Sequence, residues 1–256
     1  MSSISGFCER VLAYPPPIQA DDAVFLDVDG TLMPIIDDPA AVVAPEELRA
    51  VIATLSNRVG GALALVSGRN LESLDRVFAP LRLPAAGSHG AELRLSSDSE
   101  PLVPAANTLP RSALDKLRGF AQSHKGLLLE SKPSGVALHY RLNPDMETAC
   151  REQVVSVVQT LEPDYRLIAG KMVFEIAPAS HDKGVAIRRF LERQPFAGRR
   201  PVFVGDDVTD EDGFNAVRTH AGVAVLVGDK APTSAEFALQ DVQAVRDWLQ
   251  RACLDQ

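Results

Sequence analysis

A chain of 256 residues with 46% hydrophobic side chains is long and apolar enough to bury a sizeable core as one or two globular domains. Its formal net charge of −8 argues against a nucleic-acid surface and requires that any anionic substrate be met by local positive charge. Cys8, Cys150 and Cys253 are widely spaced without a C-x-x-C pair, which excludes a disulfide framework and a zinc cage and leaves them as reduced, structural thiols. No basic stretch followed by an apolar core opens the chain, and runs such as Val223 to Val227 fall far short of a bilayer span. A soluble, cytoplasmic protein without membrane partners is expected.

Residues 1–20 are poorly patterned and end in Pro15-Pro16-Pro17, which cannot continue a helix, so a loose N-terminal arm is expected. The apolar run from Ala23 ends in Asp27-Val28-Asp29-Gly30-Thr31 and reads as a strand delivering two carboxylates to a loop. Pro45 opens a helix with Leu48, Val51, Ile52 and Leu55 at helical spacing, and Gly60-Gly61 stops it before a strand from Ala62 to Val66. A short helix from Asn70 to Phe78 leads to a strand and turn over Ala85 to Arg94. Near Ser96 the pattern changes to helix (about 107–124), strands (127–131, 135–142), helix (145–161) and strands (165–169, 172–177). Strands joined by a turn as short as Lys132 to Ser134 pair antiparallel, so an α+β insertion is expected over 97–172. From His181-Asp182-Lys183-Gly184 onward, a helix, a strand at Arg200 to Gly205, a helix, a strand at Gly222 to Val227 and a closing helix at Val242 to Ala252 restore an α/β alternation. Residues 21–96 and 173–256 are therefore read as a parallel sheet with helices on both faces. Trp248 is read as core.

Side chains two apart in extended backbone point the same way, so Asp27 and Asp29 sit together at a strand's C-terminal end, where open α/β sheets place ligands. One can attack phosphorus while the other handles protons. Gly30 permits a sharp turn, and the amides beyond it are available to phosphate oxygens. Calcium is the rival ligand for such a loop, but the EF-hand spacing needs further oxygens and a Glu at its twelfth position, and Asp38 is the only acid nearby.

Asp27-x-Asp29-Gly30-Thr31, Val66-Ser67-Gly68-Arg69, Asp182-Lys183-Gly184 and Gly205-Asp206-Asp207-x-x-Asp210-Glu211 follow one another in the order of the haloacid dehalogenase superfamily, which the chain resembles. The resemblance implies a Rossmann-like core of that superfamily with an inserted cap, a nucleophile at Asp27 that forms an aspartyl-phosphate, and an acid/base at Asp29. A pKa raised by Asp27 and Asp206 would suit the double role of Asp29. It further implies a magnesium ion on Asp27 and Asp206, on the main-chain carbonyl of Asp29, and on Asp207 directly or through water. Ser67 and Lys183 would hold the phosphoryl group, with Thr31, Gly68 and Arg69 lining the substrate. Taken singly, a Ser-Gly pair is a common turn and Asp-Lys a common cap. Asp207, Asp210 and Glu211 also suit a helix N-terminus, Asp210 alternatively supporting Lys183 or metal-bound water.

Within the expected cap, Leu127 to Arg141 carries Glu130-x-Lys132 and His139-Tyr140-Arg141, and Gly170 to Pro178 carries Glu175. These stretches, with Ser88-His89-Gly90-Ala91-Glu92, resemble trehalose-6-phosphate phosphatases over about residues 22–250. Sugar hydroxyls both donate and accept hydrogen bonds, so carboxylates and a lysine at the cap edge are apt readers. Glu130, Lys132 and Glu175 fit that task unless Glu130 and Lys132 merely pair with each other in solvent. His89 is read as a loop or sugar contact, and His139 and Arg141 as structural. The resemblance implies magnesium-dependent hydrolysis of trehalose 6-phosphate; a monomer is expected, although oligomeric state is not read from the sequence. A phosphatase of sucrose 6-phosphate or glucosylglycerol phosphate, a phosphomutase and a non-catalytic sugar-phosphate sensor are the rivals.

Overall fold

The computed structural model describes residues 12–36, 38, 41–102, 109–132, 135–170 and 172–254. The chain begins β1 (Asp22–Leu26), α1 (Glu46–Arg58), β2 (Leu63–Val66), α2 (Leu71–Phe78), β3 (Ala85–Gly87) and β4 (Glu92–Arg94). It continues with α3 (Arg111–Ser123), β5 (Leu128–Lys132), β6 (Gly135–His139), α4 (Glu147–Gln159), β7 (Tyr165–Gly170) and β8 (Val173–Pro178). It closes with α5 (Lys183–Leu191), β9 (Arg200–Gly205), α6 (Glu211–Thr219), β10 (Val223–Val227), β11 (Phe237–Leu239) and α7 (Val242–Leu254).

Seven strands form the larger sheet in the order β11-β10-β9-β1-β2-β3-β4, parallel except where β4 folds back on β3. β1, β2 and β10 are buried at every residue, the signature of strands covered on both faces. α1 contributes Leu48, Ile52 and Leu55 to that cover, and α5 contributes Ala186, Ile187 and Phe190. From β1 the chain moves through β2 to β3 on one side and returns through β9 to β10 on the other. The strand order thus reverses at β1 and β9, and the crevice outside their C-terminal ends is where such sheets bind ligands. Asp27 directly follows β1 and Asp206 directly follows β9.

Four antiparallel strands in the order β5-β6-β8-β7 form the smaller sheet, backed by α3 and α4 through Leu117, Cys150, Val154 and Phe174. The expected boundary at 172 is corrected. β8 pairs in register with β6 and with β7, so Val173–Pro178 lies in the smaller sheet, because its hydrogen-bonding partners are there.

The expected loose arm is corrected for its described part. Ile18 is buried, the backbone N–H of Ala238 in β11 donates to the Ala13 carbonyl, and Trp248 Nε1 donates to the Pro16 carbonyl at 3.2 Å. The rest of the arm, with Cys8, and the expected helix start at 107 lie outside the described residues. β11 was not anticipated, since Phe237–Leu239 is too short to show a period. Among the described residues, no helix is long and apolar enough to cross a membrane.

Candidate active site

Asp27 leaves β1 into the crevice with its side chain buried, and Lys183 Nζ donates to it at 2.7 Å. Lys183 stands on the first turn of α5, whose N-terminus is capped by Asp182 accepting from the Val185 amide at 2.6 Å. Its ammonium donates a second bond, of 2.6 Å, to Asp210. Asp210 is wholly buried, and its other oxygen accepts the amides of Asp206 and Asp207 at 3.0 and 2.9 Å. One side chain thereby shapes the loop after β9 and anchors the lysine. Carboxylate oxygens of Asp27, Asp206 and Asp210 lie within 4.8 Å of one another.

Burial, and after it that crowding, governs ionisation. Burial pushes the Asp27 carboxyl well above the ordinary carboxylate range against the pull of Lys183. Burial and then Asp210 raise Asp206 to about 6. Burial alone would lower Lys183, but Asp210 and Asp27 outweigh it and hold the ammonium above its ordinary value. Gly30 has φ of +89°, and a Cβ there would stand 2.1 Å from Asp206 Oδ2. Only glycine gives the turn and leaves room for the second carboxylate. Thr31, also buried, donates its hydroxyl to Asp206 Oδ1 at 3.3 Å.

Asp29 is held elsewhere. Arg69 Nε and an Arg69 terminal nitrogen donate to its two oxygens at 2.6 and 2.7 Å, a bidentate pair of the strong kind. The pairing sets the Asp29 side chain apart from the oxygens of Asp27, Asp206 and Asp210, while Arg69 still lines the cavity in which phosphate and sugar are expected. Asp207 is likewise turned toward Lys230. Although burial pushes the Asp207 carboxyl up, the Lys230 ammonium holds it below the ordinary range. The clustered carboxylates therefore include Asp210 and not the side chains of Asp29 or Asp207.

Ser67 is buried at the end of β2, its Oγ accepting the Arg69 amide at 3.2 Å. Gly68 packs directly on the His89 imidazole, since a Cβ would lie 2.7 Å from Cε1. From the smaller sheet, Lys132 Nζ donates to Glu175 Oε1 at 2.5 Å, and Glu130 pairs with His139 Nε2 at 2.8 Å. The alternative of a Glu130–Lys132 pair is thus replaced by two cross-strand pairs. Asp27, Asp29, Ser67, Gly68, Arg69, His89, Glu130, Lys132, Glu175, Lys183, Asp206 and Asp207 all line one cavity of about 980 Å³. Thr31 stands behind Asp206.

Sequence reasoning missed Lys230, which lines the same cavity; its signal was a loop following a parallel strand's C-terminal end. It also assigned no role to Glu92, which accepts Ser88 Oγ at 2.7 Å and the Leu71 amide at 2.9 Å, nor to Arg94, which is buried against Asp75. Nothing local in the sequence marks those partners.

Residues 25–243 match the family model described as trehalose-phosphatase. The chain is 42% identical over 227 residues to a probable trehalose-phosphate phosphatase of Sinorhizobium fredii, covering 88% of this chain and 84% of that one. It is 38% identical over 239 residues to the trehalose-6-phosphate phosphatase of Escherichia coli, covering 93% and 89%. Its fold resembles the C-terminal domain of the Candida albicans trehalose-6-phosphate phosphatase with a TM-score of 0.78 at 24% identity over 94% of this chain and 98% of that one. A haloacid dehalogenase-like hydrolase of Bacillus subtilis follows at 0.64 and 12%, covering 89% and 99%. The chain therefore has the haloacid dehalogenase-like fold and belongs to the trehalose-phosphatase family of phosphoric monoester hydrolases.

Proposed function

We propose that the protein hydrolyses trehalose 6-phosphate to trehalose and phosphate, through an aspartyl-phosphate at Asp27 and with magnesium. One observation carries the reading. The cavity that holds Asp27 beside Lys183 is also lined by Glu130, Lys132 and Glu175 from the smaller sheet, so a phosphate reader and a hydroxyl reader face one space. We take residues 97–178 as a cap over that space.

Phosphate monoesters repel anionic nucleophiles, so positioning and positive charge must do most of the catalysis. Asp27 attacks phosphorus, and the bond to the sugar oxygen breaks as that oxygen takes a proton from Asp29. Water then attacks the aspartyl-phosphate, gives its proton to Asp29, and phosphate leaves with Asp27 restored. Arg69 fixes the orientation of Asp29 and yields one of its two contacts whenever that carboxyl carries the proton. Lys183 balances charge on nucleophile and phosphoryl group, and Ser67 and the amides after Gly30 hold phosphoryl oxygens. The donor set fits magnesium, being carboxylate oxygens without thiolate or imidazole, and those of Asp27, Asp206 and Asp210 lie within 4.8 Å of one another around a single ammonium. Asp27 and Asp206 would hold the ion with the Asp29 carbonyl and Asp207. When bound it supplies positive charge to the phosphoryl oxygens.

The test is phosphate release from trehalose 6-phosphate, sucrose 6-phosphate, glucosylglycerol phosphate and a small aryl phosphate, with and without magnesium. Trehalose 6-phosphate should be preferred, and chelation should stop turnover until magnesium is restored. Replacing Glu130, Lys132 or Glu175 by Ala should lower kcat/KM for it by about tenfold or more, with a smaller loss on the aryl phosphate. Preference for another sugar phosphate, or full activity without metal, would refute the corresponding part.

A further inference from the structure

We infer that His89 and Glu175 together clamp one hydroxyl of the sugar, His89 donating a hydrogen bond from the larger unit and Glu175 accepting one from the smaller. The inference deepens the trehalose 6-phosphate reading and rests on it.

Ser88, His89 and Gly90 have φ of 49°, 55° and 97°, three successive residues in left-handed backbone of which two carry a Cβ. Such strain persists only where the surroundings over-determine it, and it collects at functional sites. Here Glu92 grips Ser88 Oγ, the Ser88 amide donates to the Arg69 carbonyl at 2.8 Å and the His89 amide to the Ser67 carbonyl at 3.0 Å. Two ties to the phosphate loop and one to Glu92 of β4 thus hold a conformation the chain would otherwise leave. Its product is the placement of one imidazole, which lines the cavity with its side chain 15% exposed.

The two ring nitrogens differ. Nδ1 is buried with no partner among the described residues, whereas Nε2 lies 3.9 Å from Glu175 Oε2. Burial, and after it Lys183 and Lys132, lower the ring pKa to about 3, so the ring carries one proton. On Nδ1 that proton would be a buried donor without an acceptor, the costlier way to leave a group unpaired. The hydrogen-bonding surroundings therefore assign it to Nε2, on the Glu175 side.

Glu175 has one oxygen to spare, because Oε1 is taken by Lys132. The 3.9 Å between Nε2 and Oε2 is too long for a direct hydrogen bond. It suits an oxygen about 2.8 Å from each. That oxygen must accept from Nε2 and donate to a carboxylate, which a hydroxyl does and a phosphate or carboxylate oxygen does not. The clamp selects a neutral sugar position and rejects an anionic one, and it ties substrate binding to the approach of the two units.

H89N, H89Q, E175A and H89N/E175A are compared on trehalose 6-phosphate and on the aryl phosphate, with melting curves for each. Asn tolerates left-handed backbone but its amide falls short of Glu175, while the Gln amide nitrogen reaches the place of Nε2. H89N should lower kcat/KM on trehalose 6-phosphate about tenfold or more, mainly through KM, with a smaller loss on the aryl phosphate. H89Q should recover to within about threefold of wild type, and H89N/E175A should be little worse than E175A, since both changes remove one shared contact. H89N at wild-type efficiency, H89Q as poor as H89N, multiplicative losses in the double variant, or equal losses on both substrates would overturn the clamp while trehalose 6-phosphate remained the substrate. Wild-type enzyme that cleaves the aryl phosphate and leaves trehalose 6-phosphate intact would overturn the substrate reading, and the clamp with it.

Discussion

Asp27 sits within hydrogen-bond reach of Lys183 and among two further carboxylates, so its chemistry can be separated from its packing. Asp27→Asn keeps the shape and removes the proposed nucleophile. Turnover should fall by several orders of magnitude with the circular dichroism spectrum unchanged; retention of more than about a tenth of wild-type activity would rule out covalent catalysis there. His89 offers a test in acid. Its folded pKa of about 3 lies below the ordinary 6.5, so between those values the unfolded chain binds a proton that the folded one refuses. That contribution is complete above pH 6.5 and is lost as pH falls toward 3. His89→Asn should remove it. In urea titrations the loss of stability from pH 7 to pH 5 should be about 2 kcal/mol smaller in the variant than in wild type, and equal losses would show that the ring protonates normally.

The turn after β1 and the loop after β9 meet at Gly30, where any Cβ would strike the Asp206 carboxylate. Gly30→Ala should therefore displace Asp206 as well as strain the turn, at a cost of about 1–2 kcal/mol for the left-handed backbone. Magnesium titrations of activity should shift to higher concentration, more than the loss in Tm alone would account for. On the far edge of the sheet, Arg94 of β4 donates to both oxygens of Asp75 in α2, at 2.7 and 2.6 Å, and to the Leu83 carbonyl at 3.0 Å. Arg94→Met should destabilise by roughly 1–3 kcal/mol, chiefly because it leaves a buried carbonyl unpaired; Asp75 is half-exposed and keeps Arg82 at 3.9 Å, so the lost ion pair adds little. Urea denaturation measures this, and an unchanged midpoint would show the strap to be dispensable.

Across the whole molecule, the two units meet at Arg166. This β7 residue donates to Asp212 of α6 at 2.8 Å and to the His181 carbonyl at 3.2 Å. If the smaller unit moves as a body to admit substrate and exclude water, small-angle scattering should show a more compact particle with trehalose and a phosphate analogue than without. Arg166→Met should widen that difference, because a tie between the units is lost. One particle size under all conditions, in both proteins, would refute cap closure.

The Asp27 loop, the Ser67 turn, the lysine at the start of α5 and the acidic loop after β9 were legible as positions because each follows an apolar strand or opens a helix, and local pattern alone places such residues at one end of a parallel sheet. The alternation of elements likewise announced the α/β core and the antiparallel insertion. Pairings between distant residues were not legible. Asp29 and Arg69 are 40 positions apart, Lys132 and Glu175 43, and Lys183 and Asp27 156; which cation each carboxylate takes depends on distances that arise only when the sheet and its loops assemble. The docking of Pro16 on Trp248 and the membership of β8 in the smaller sheet were decided in the same way, by partners outside their own stretch of chain. Sequence by itself brought Asp27, Ser67, Lys183 and Asp206 to the crevice, though not Lys230. Tertiary structure decided which of them touch, because hydrogen bonds and ion pairs act over a few ångströms of space regardless of separation along the chain.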